Sequence, residues 1–202
     1  FEPVRSSYDN LLYDYTVYNF ANKGESGHSV LASAVESSFI EAYINLFGEA
    51  KIEIESIDIG ASCLIKAMGF CDSLKKATYI LSVLDGNYML SVLFVNGTYY
   101  YQRRTRLIAQ RAMSKSYEEI ADEISAILQF NKAQQTGSEV TACYFSGLWD
   151  NELSLLNSVS TLTGISANLL PRGKRIVLTN KVSVSGFDPR DYLIAIGNLV
   201  KK

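Results

Sequence analysis

"YILSVLDGNYMLSVLFVNGTYYYQRRTRL", Tyr79 to Leu107, is the stretch on which the fold turns. Three runs rich in β-branched and aromatic residues are separated by Asp85-Gly86 and Asn96-Gly97. These dipeptides favour two-residue hairpin turns, whose central residues need positive φ. The pattern predicts a three-stranded antiparallel meander.

The elements after it alternate helix and strand. Ser116 and Glu119 have capping-box spacing, and Ile120, Ile124, Ile127 and Leu128 then recur on one face, predicting an amphipathic helix over 117–135. Glu118, Glu119, Asp122 and Glu123 would stand near its positive end. "EVTACYFSG" reads as a buried strand, and Asp150 as the cap of a helix that faces Leu155, Leu156, Val159 and Leu162 inward until Gly164. A last helix is expected from Asp188, with Pro189 in its first turn and Leu193, Ile196 and Val200 buried.

Upstream, "NLLYDYTVYNF" and "HSVLASAVE" read as two strands around the polar turn "ANKGESG". Ser38 and Glu41 then suggest a capped helix with Ile40, Tyr43, Ile44 and Phe47 on one face and Gly48 at its end. "KIEIESID" alternates Ile52, Ile54 and Ile57 with charge and is expected to be a half-buried strand. The domain organisation that follows is a small β-β-α-β domain over 1–58 and a larger unit over 59–202, within the α+β class.

Between them lies "SIDIGASCLIKAM", Ser56 to Met68. An Asp-x-Gly followed by small residues and a lysine is one way of holding phosphate, but a turn of that kind needs a strand after the glycine. Here Leu64, Ile65, Met68 and Cys71 follow helical spacing, so Asp58 is read as marking the turn into a helix or capping it.

Composition sets the outer bounds. The 202 residues are 48% hydrophobic and 20% charged, enough for a sizeable core, and the net charge of -2 with a pI near 5.5 gives no general pull toward nucleic acid. The one basic cluster, "YYYQRRTR" at Tyr99 to Arg106, is better explained as a strand with a core face and a charged face than as a nucleic-acid grip. Cys63, Cys71 and Cys143 lack the spacing of a disulfide framework or a zinc knuckle, and His28, the only histidine, falls in a polar loop. No run approaches the roughly 18 apolar residues of a membrane span. The opening "FEPVRSSYDN", without methionine or signal peptide, suggests a fragment of a longer product.

In order along the chain, "SVLASAVESSFIEAYINLFGEAKIEIESIDI", the meander, "VTACYFSGLWDNELSLLNSVSTLTGISANLLP" and "FDPRDYLIAIGNLVKK" resemble the PilM family, actin-like assembly proteins of type IV pili. The resemblance implies an actin-like (ribonuclease H-like) subdomain with an inserted small SHS2-like domain, and makes "IDIGAS" a look-alike of a phosphate loop. In the family's register, Val83 and Asp85 stand where the metal-serving acid and a phosphate-side glycine belong, although a shifted register would use Asp85 and Gly86. Ser146, Gly147, Leu148 and Trp149 stand in place of the adenosine-side glycine run. These are vestigial positions, so no cofactor is expected, with magnesium and ATP held only in a longer chain that supplies an N-terminal phosphate segment.

The implied role is a non-catalytic cytoplasmic scaffold, peripheral at the inner face of the membrane. It would bind the tail of a PilN-like membrane protein near residues 8–58, where Tyr13, Tyr15 and Tyr18 offer contact surface. Two other readings stand beside it: an actin-like ATPase completed by the missing segment, and a cell-division protein of the FtsA type.

Overall fold

The structure, a computed structural model, describes residues 10–18, 29–172 and 188–200. The chain divides into two compact units, Phe1–Ile57 and Asp58–Lys202.

In the first unit, β1 (Leu11–Tyr18) pairs antiparallel with β2 (Ser29–Glu36), in register from Leu11 opposite Glu36 to Tyr18 opposite Ser29. The helix α1 (Ser37–Glu49) follows without a break. Its N-cap is Glu36 and no side chain bonds the free amides, so the expected Ser38–Glu41 box does not form. Gly48 does not end it either; the chain turns at Lys51, whose φ is 57°, while the Ala50 and Lys51 amides return to the Leu46 and Gly48 carbonyls. Of the expected inward face, only Ile40 is half-buried, and Tyr43, Ile44 and Phe47 are exposed.

"KIEIESID" is not a strand: residues 52–59 form no regular element. Alternation gives a segment two faces, but a strand also needs a ladder partner, and this segment pairs with no strand among the described residues. The small unit is therefore β-β-α.

The second unit opens with α2 (Gly60–Met68), the helix expected from the spacing after Asp58. Asp58 does not cap it. The N-cap is Ile59, whose N–H donates to Asp58 Oδ1 at 2.9 Å, while Asp58 Oδ2 pairs with Lys66 Nζ at 2.5 Å.

The meander follows as β3 (Tyr79–Asp85), β4 (Tyr88–Val95) and β5 (Thr98–Arg106). It belongs to a five-stranded mixed sheet of order β5-β4-β3-β6-β7. β6 (Ala142–Ser146) lies parallel to β3, with Tyr79 opposite Ala142 and Val83 opposite Ser146. β7 (Ser166–Leu169), which the sequence reading left unassigned, lies parallel to β6.

One face of this sheet, with Ile80, Leu84, Met89, Leu93, Cys143 and Phe145, packs with α3 (Ser114–Ala133) and α4 (Ser154–Thr163) through Ile120, Ile124, Ile127, Leu155 and Val159. On the other face Tyr79 stacks on Phe94 at 4.9 Å and meets Tyr144 edge-on at 5.7 Å.

The helix starts differ from their expected caps. Ser116 Oγ bonds the Met113 carbonyl at 2.7 Å, and Glu119 reaches away from its helix to accept the Ile108 N–H at 2.8 Å and the Ala109 N–H at 3.0 Å. Asp150 caps nothing; a 3-10 turn, Asp150–Glu152, precedes α4, and Glu152 accepts the Trp149 N–H at 2.9 Å. Leu162 is exposed rather than inward. Gly164 closes α4 with φ 75°, and Asp188 does cap the last segment, accepting the Arg190 N–H at 3.0 Å. A 3-10 turn, Pro189–Tyr192, leads into α5 (Leu193–Leu199), which buries Leu193 and Gly197 and leaves Ile196 and Val200 half-buried.

Candidate functional site

Because β3 and β6 are parallel neighbours, their carboxyl ends lie side by side, and chain segments leaving them share one edge of the sheet. A cleft of about 460 Å³ opens there. Val83, Leu84 and Asp85 from β3 and Gly147 after β6 form one wall. Asp191, Leu193 and Ile194 from the closing segment and Asp58 and Cys63 from the start of α2 complete it.

The positions singled out in the sequence thus fall in two groups. Val83, Asp85 and Gly147 share the cleft, although 64 and 62 residues separate the first two from the third. Gly86 sits one step further along the exposed hairpin turn, with φ 51°. Ser146 is buried and its Oγ donates to the Arg190 carbonyl, tying the end of β6 to the turn before α5. Leu148 packs against the core, and Trp149 stands half exposed over Arg111.

The chemistry of the cleft is acidic. Asp58, Asp85 and Asp191 line it, and no Lys or Arg does so among the described residues. Asp58 is already paired with Lys66. Burial first, and the Asp58 carboxylate second, push the Cys63 thiol above its ordinary range, which keeps it protonated and a weak nucleophile. These residues do not fit a magnesium–triphosphate group. The Val83 side chain has no oxygen to offer a hydrated cation, and no Lys or Arg among the described residues lines the cleft to meet the phosphates.

Sequence reasoning missed a buried polar feature beside the cleft. Arg111 and Glu152, 3% and 1% exposed, form a buried ion pair. Arg111 Nε donates to Glu152 Oε1 at 2.8 Å, and its Nη2 donates to Glu152 Oε2 and, at 2.8 Å, to the Gly147 carbonyl. Its Nη1 reaches the Gly86 carbonyl at 3.3 Å. The guanidinium lies 4.2 Å from the centre of the Trp149 ring. Nothing in the spacing marks this pair, because its members stand 41 residues apart and Arg111 follows a run of three other arginines.

Part of the basic and aromatic run of β5 makes internal contacts. Tyr101 stacks on Phe130 of α3 at 4.3 Å, Arg103 pairs with Glu123 at 3.1 Å, and Arg104 lies over the Tyr88 ring at 4.4 Å.

In the first unit, Tyr13 and Tyr15 are 58% and 65% exposed. Opposite residues of an antiparallel pair share a face, so Tyr13, Tyr15 and Val17 lie with Ala34, Ala32 and Val30 on one side of the two-stranded sheet. All six are exposed. Tyr18 ends the strand opposite Ser29.

The arrangement was compared with known proteins. No family model and no curated protein sequence matches the chain. Among solved structures, a chain titled "PilM-PilN type IV pilus biogenesis complex" overlays with a TM-score of 0.70 at 11% identity, covering 94% of this chain and 66% of its own length. The fold is actin-like. The chain therefore spans just under two thirds of that neighbour. A Bacteroides thetaiotaomicron protein with an actin-like ATPase fold and unknown function overlays more loosely, with a TM-score of 0.45 at 13% identity over 80% of this chain and 55% of its own. The ethanolamine utilization protein EutJ from Carboxydothermus hydrogenoformans gives 0.42 at 10% identity over 64% and 54%.

Proposed function

We propose that this chain is a non-catalytic scaffold of type IV pilus assembly, working at the cytoplasmic face of the membrane and taking up the cytoplasmic tail of a PilN-like membrane protein at its first unit. The observation that carries this reading is the overlay at TM-score 0.70 along 94% of the chain on a PilM–PilN neighbour. No helix among the described residues is long and apolar enough to cross a membrane, so membrane contact in this reading comes through the partner.

Two features of the first unit support an extended tail as the ligand. β1 has no strand on its outer edge among the described residues, and a two-stranded sheet is marginal until a third strand or a cover is added. A strand laid there gains main-chain hydrogen bonds, and the exposed Tyr13, Tyr15 and Val17 supply apolar contact. The unit is also acidic: residues 1–57 carry nine acidic and three basic side chains, against twelve and sixteen over 58–202. The tail that fits best is extended, apolar on one side and basic.

Calorimetric titration of a PilN-like N-terminal peptide tests this. Binding to the whole chain is expected, and its loss when residues 8–58 are deleted. No binding to the whole chain, or binding untouched by the deletion, removes the reading. The second reading, an actin-like ATPase, draws on the cleft that Val83, Asp85 and Gly147 share, and is separated by nucleotide titration.

A further inference from the structure

Arg111 and Glu152 have no part in the scaffold reading, yet they cross-link the loops beside the cleft. We propose that they are positioning residues that fix the Asp85–Gly86 turn and the Gly147–Trp149 loop around the cleft with no ligand bound.

Six hydrogen bonds converge on this pair. Besides those to Gly86 and Gly147, Glu152 Oε1 accepts the Ala112 N–H at 3.2 Å and Oε2 accepts the Trp149 N–H at 2.9 Å. One carboxylate thus holds two amides that are 37 residues apart in sequence. The link between β5 and α3, the hairpin turn and the segment after β6 meet at one guanidinium.

Loops that line a cleft usually belong to the low-stability end of a fold. Here the balance is reversed. A charge buried this deeply is costly unless paired and fully bonded, so opening either loop would strand a guanidinium or a carboxylate in an apolar setting. The planar fork of arginine also matters, because it bonds the carboxylate with one edge, reaches two backbone carbonyls and still presents a flat face to Trp149. Lysine can copy the charge but not that geometry.

Trp149 is the only tryptophan of the chain, so its emission reports on the pair directly. In the unsubstituted whole chain, the Ala112 and Trp149 amides are expected to exchange slowly with solvent, and magnesium–ATP is expected to change neither that exchange nor the emission. In E152Q both amides should exchange at least about tenfold faster while those of β3 and β4 keep their protection. In R111K the Trp149 emission should shift and its quenching by acrylamide should rise. Fast exchange of both amides in the unsubstituted chain overturns the proposal, and so does slowing of that exchange by nucleotide, which would make a ligand the organiser. Equal acceleration throughout the second unit in R111K overturns it as well, since the pair would then serve global stability alone. Should E152Q not fold, the measurements on the unsubstituted chain and R111K still decide.

Discussion

Gly197 of α5 stands against the carbonyl of Cys63 in α2, so close that a Cβ on Gly197 would lie 1.8 Å from that oxygen. No side chain fits there, and the crossing of the two helices depends on the glycine. Leu193 and Ile194 of α5 and Cys63 of α2 also line the cleft.

Gly197→Ala is therefore expected to push the helices apart and cost about 1–3 kcal/mol, with a fall of several degrees in Tm. Gly48→Ala, where nothing lies within 4 Å of the added Cβ, is the control and should be neutral or stabilising by up to about 1 kcal/mol. Thermal melts of both variants check this. An unchanged Tm for Gly197→Ala would show that the helices separate freely and that the contact is not needed.

The two glycines beside the cleft separate in the same way. Gly86 has φ 51° and open space around it, so Gly86→Asn, which tolerates that conformation, should cost well under about 1 kcal/mol. Gly147 has φ 74° and a Cβ there would stand 2.1 Å from the Leu84 carbonyl, so Gly147→Ala should lose about 2 kcal/mol or more. Urea unfolding of the two variants gives the comparison, and equal losses would contradict it.

What was legible in the sequence follows from what is local. The hairpins at Asp85-Gly86 and Asn96-Gly97 are written in adjacent residues, and α2 was separable from a phosphate turn because Leu64, Ile65 and Met68 keep helical spacing. The Ser116–Glu119 box was misread because Glu119 spends its carboxylate on the Ile108 and Ala109 amides, a choice set by tertiary proximity, while the Asp188 cap, made within its own turn, was read correctly. β7 was missed because "SANL" carries no strand pattern of its own and pairs only because β6 offers an edge. "KIEIESID" erred in the opposite direction, with a strand pattern but no pairing to any strand among the described residues. The cleft was half legible: its residues were named from two separate motifs, while the Arg111–Glu152 pair beside it left no trace in spacing.

Burial pushes the Cys143 thiol from its ordinary 9.0 up to about 12, with the hydrogen bond to Ser82 as the smaller, opposing influence. The folded state holds this proton more tightly than the unfolded state. The thiol's contribution to stability is therefore fully present below pH 9 and is lost as pH rises from 9 toward 12. Tyr79, whose phenol burial also raises, acts in the same direction. Unfolding midpoints in urea should fall across that range, and less steeply for Cys143→Ala. An equally steep fall in the variant would remove Cys143 as a cause.

Magnesium–ATP is expected not to bind residues 1–202 in the micromolar range. No Lys or Arg among the described residues lines the cleft to meet the phosphates, and the Val83 side chain offers no oxygen to a cation. Isothermal calorimetry at neutral pH, with and without magnesium, is the direct measurement. A ligand at 100 times its Kd would stabilise the fold by about 2.7 kcal/mol, so a thermal-shift assay provides a second readout. Micromolar heat or a clear rise in Tm would favour the ATPase reading over the scaffold.

The exposed face of β1 provides the last test, because stability and binding should respond to it differently. Tyr13 and Tyr15 are 58% and 65% exposed and lie opposite Ala34 and Ala32, so trimming either ring to alanine removes little internal packing. Surface substitutions of this kind usually shift stability by no more than about 0.5 kcal/mol. If the face receives a partner segment, the same rings become buried aromatic anchors, and losing one costs about 2 kcal/mol of binding, a drop of roughly thirtyfold in affinity. Tyr13→Ala and Tyr15→Ala should thus melt like the parent chain and bind the PilN-like peptide far more weakly. A loss of stability as large as the loss of binding would show that the rings hold the small sheet together. Unchanged affinity in both variants would move the partner site off this face.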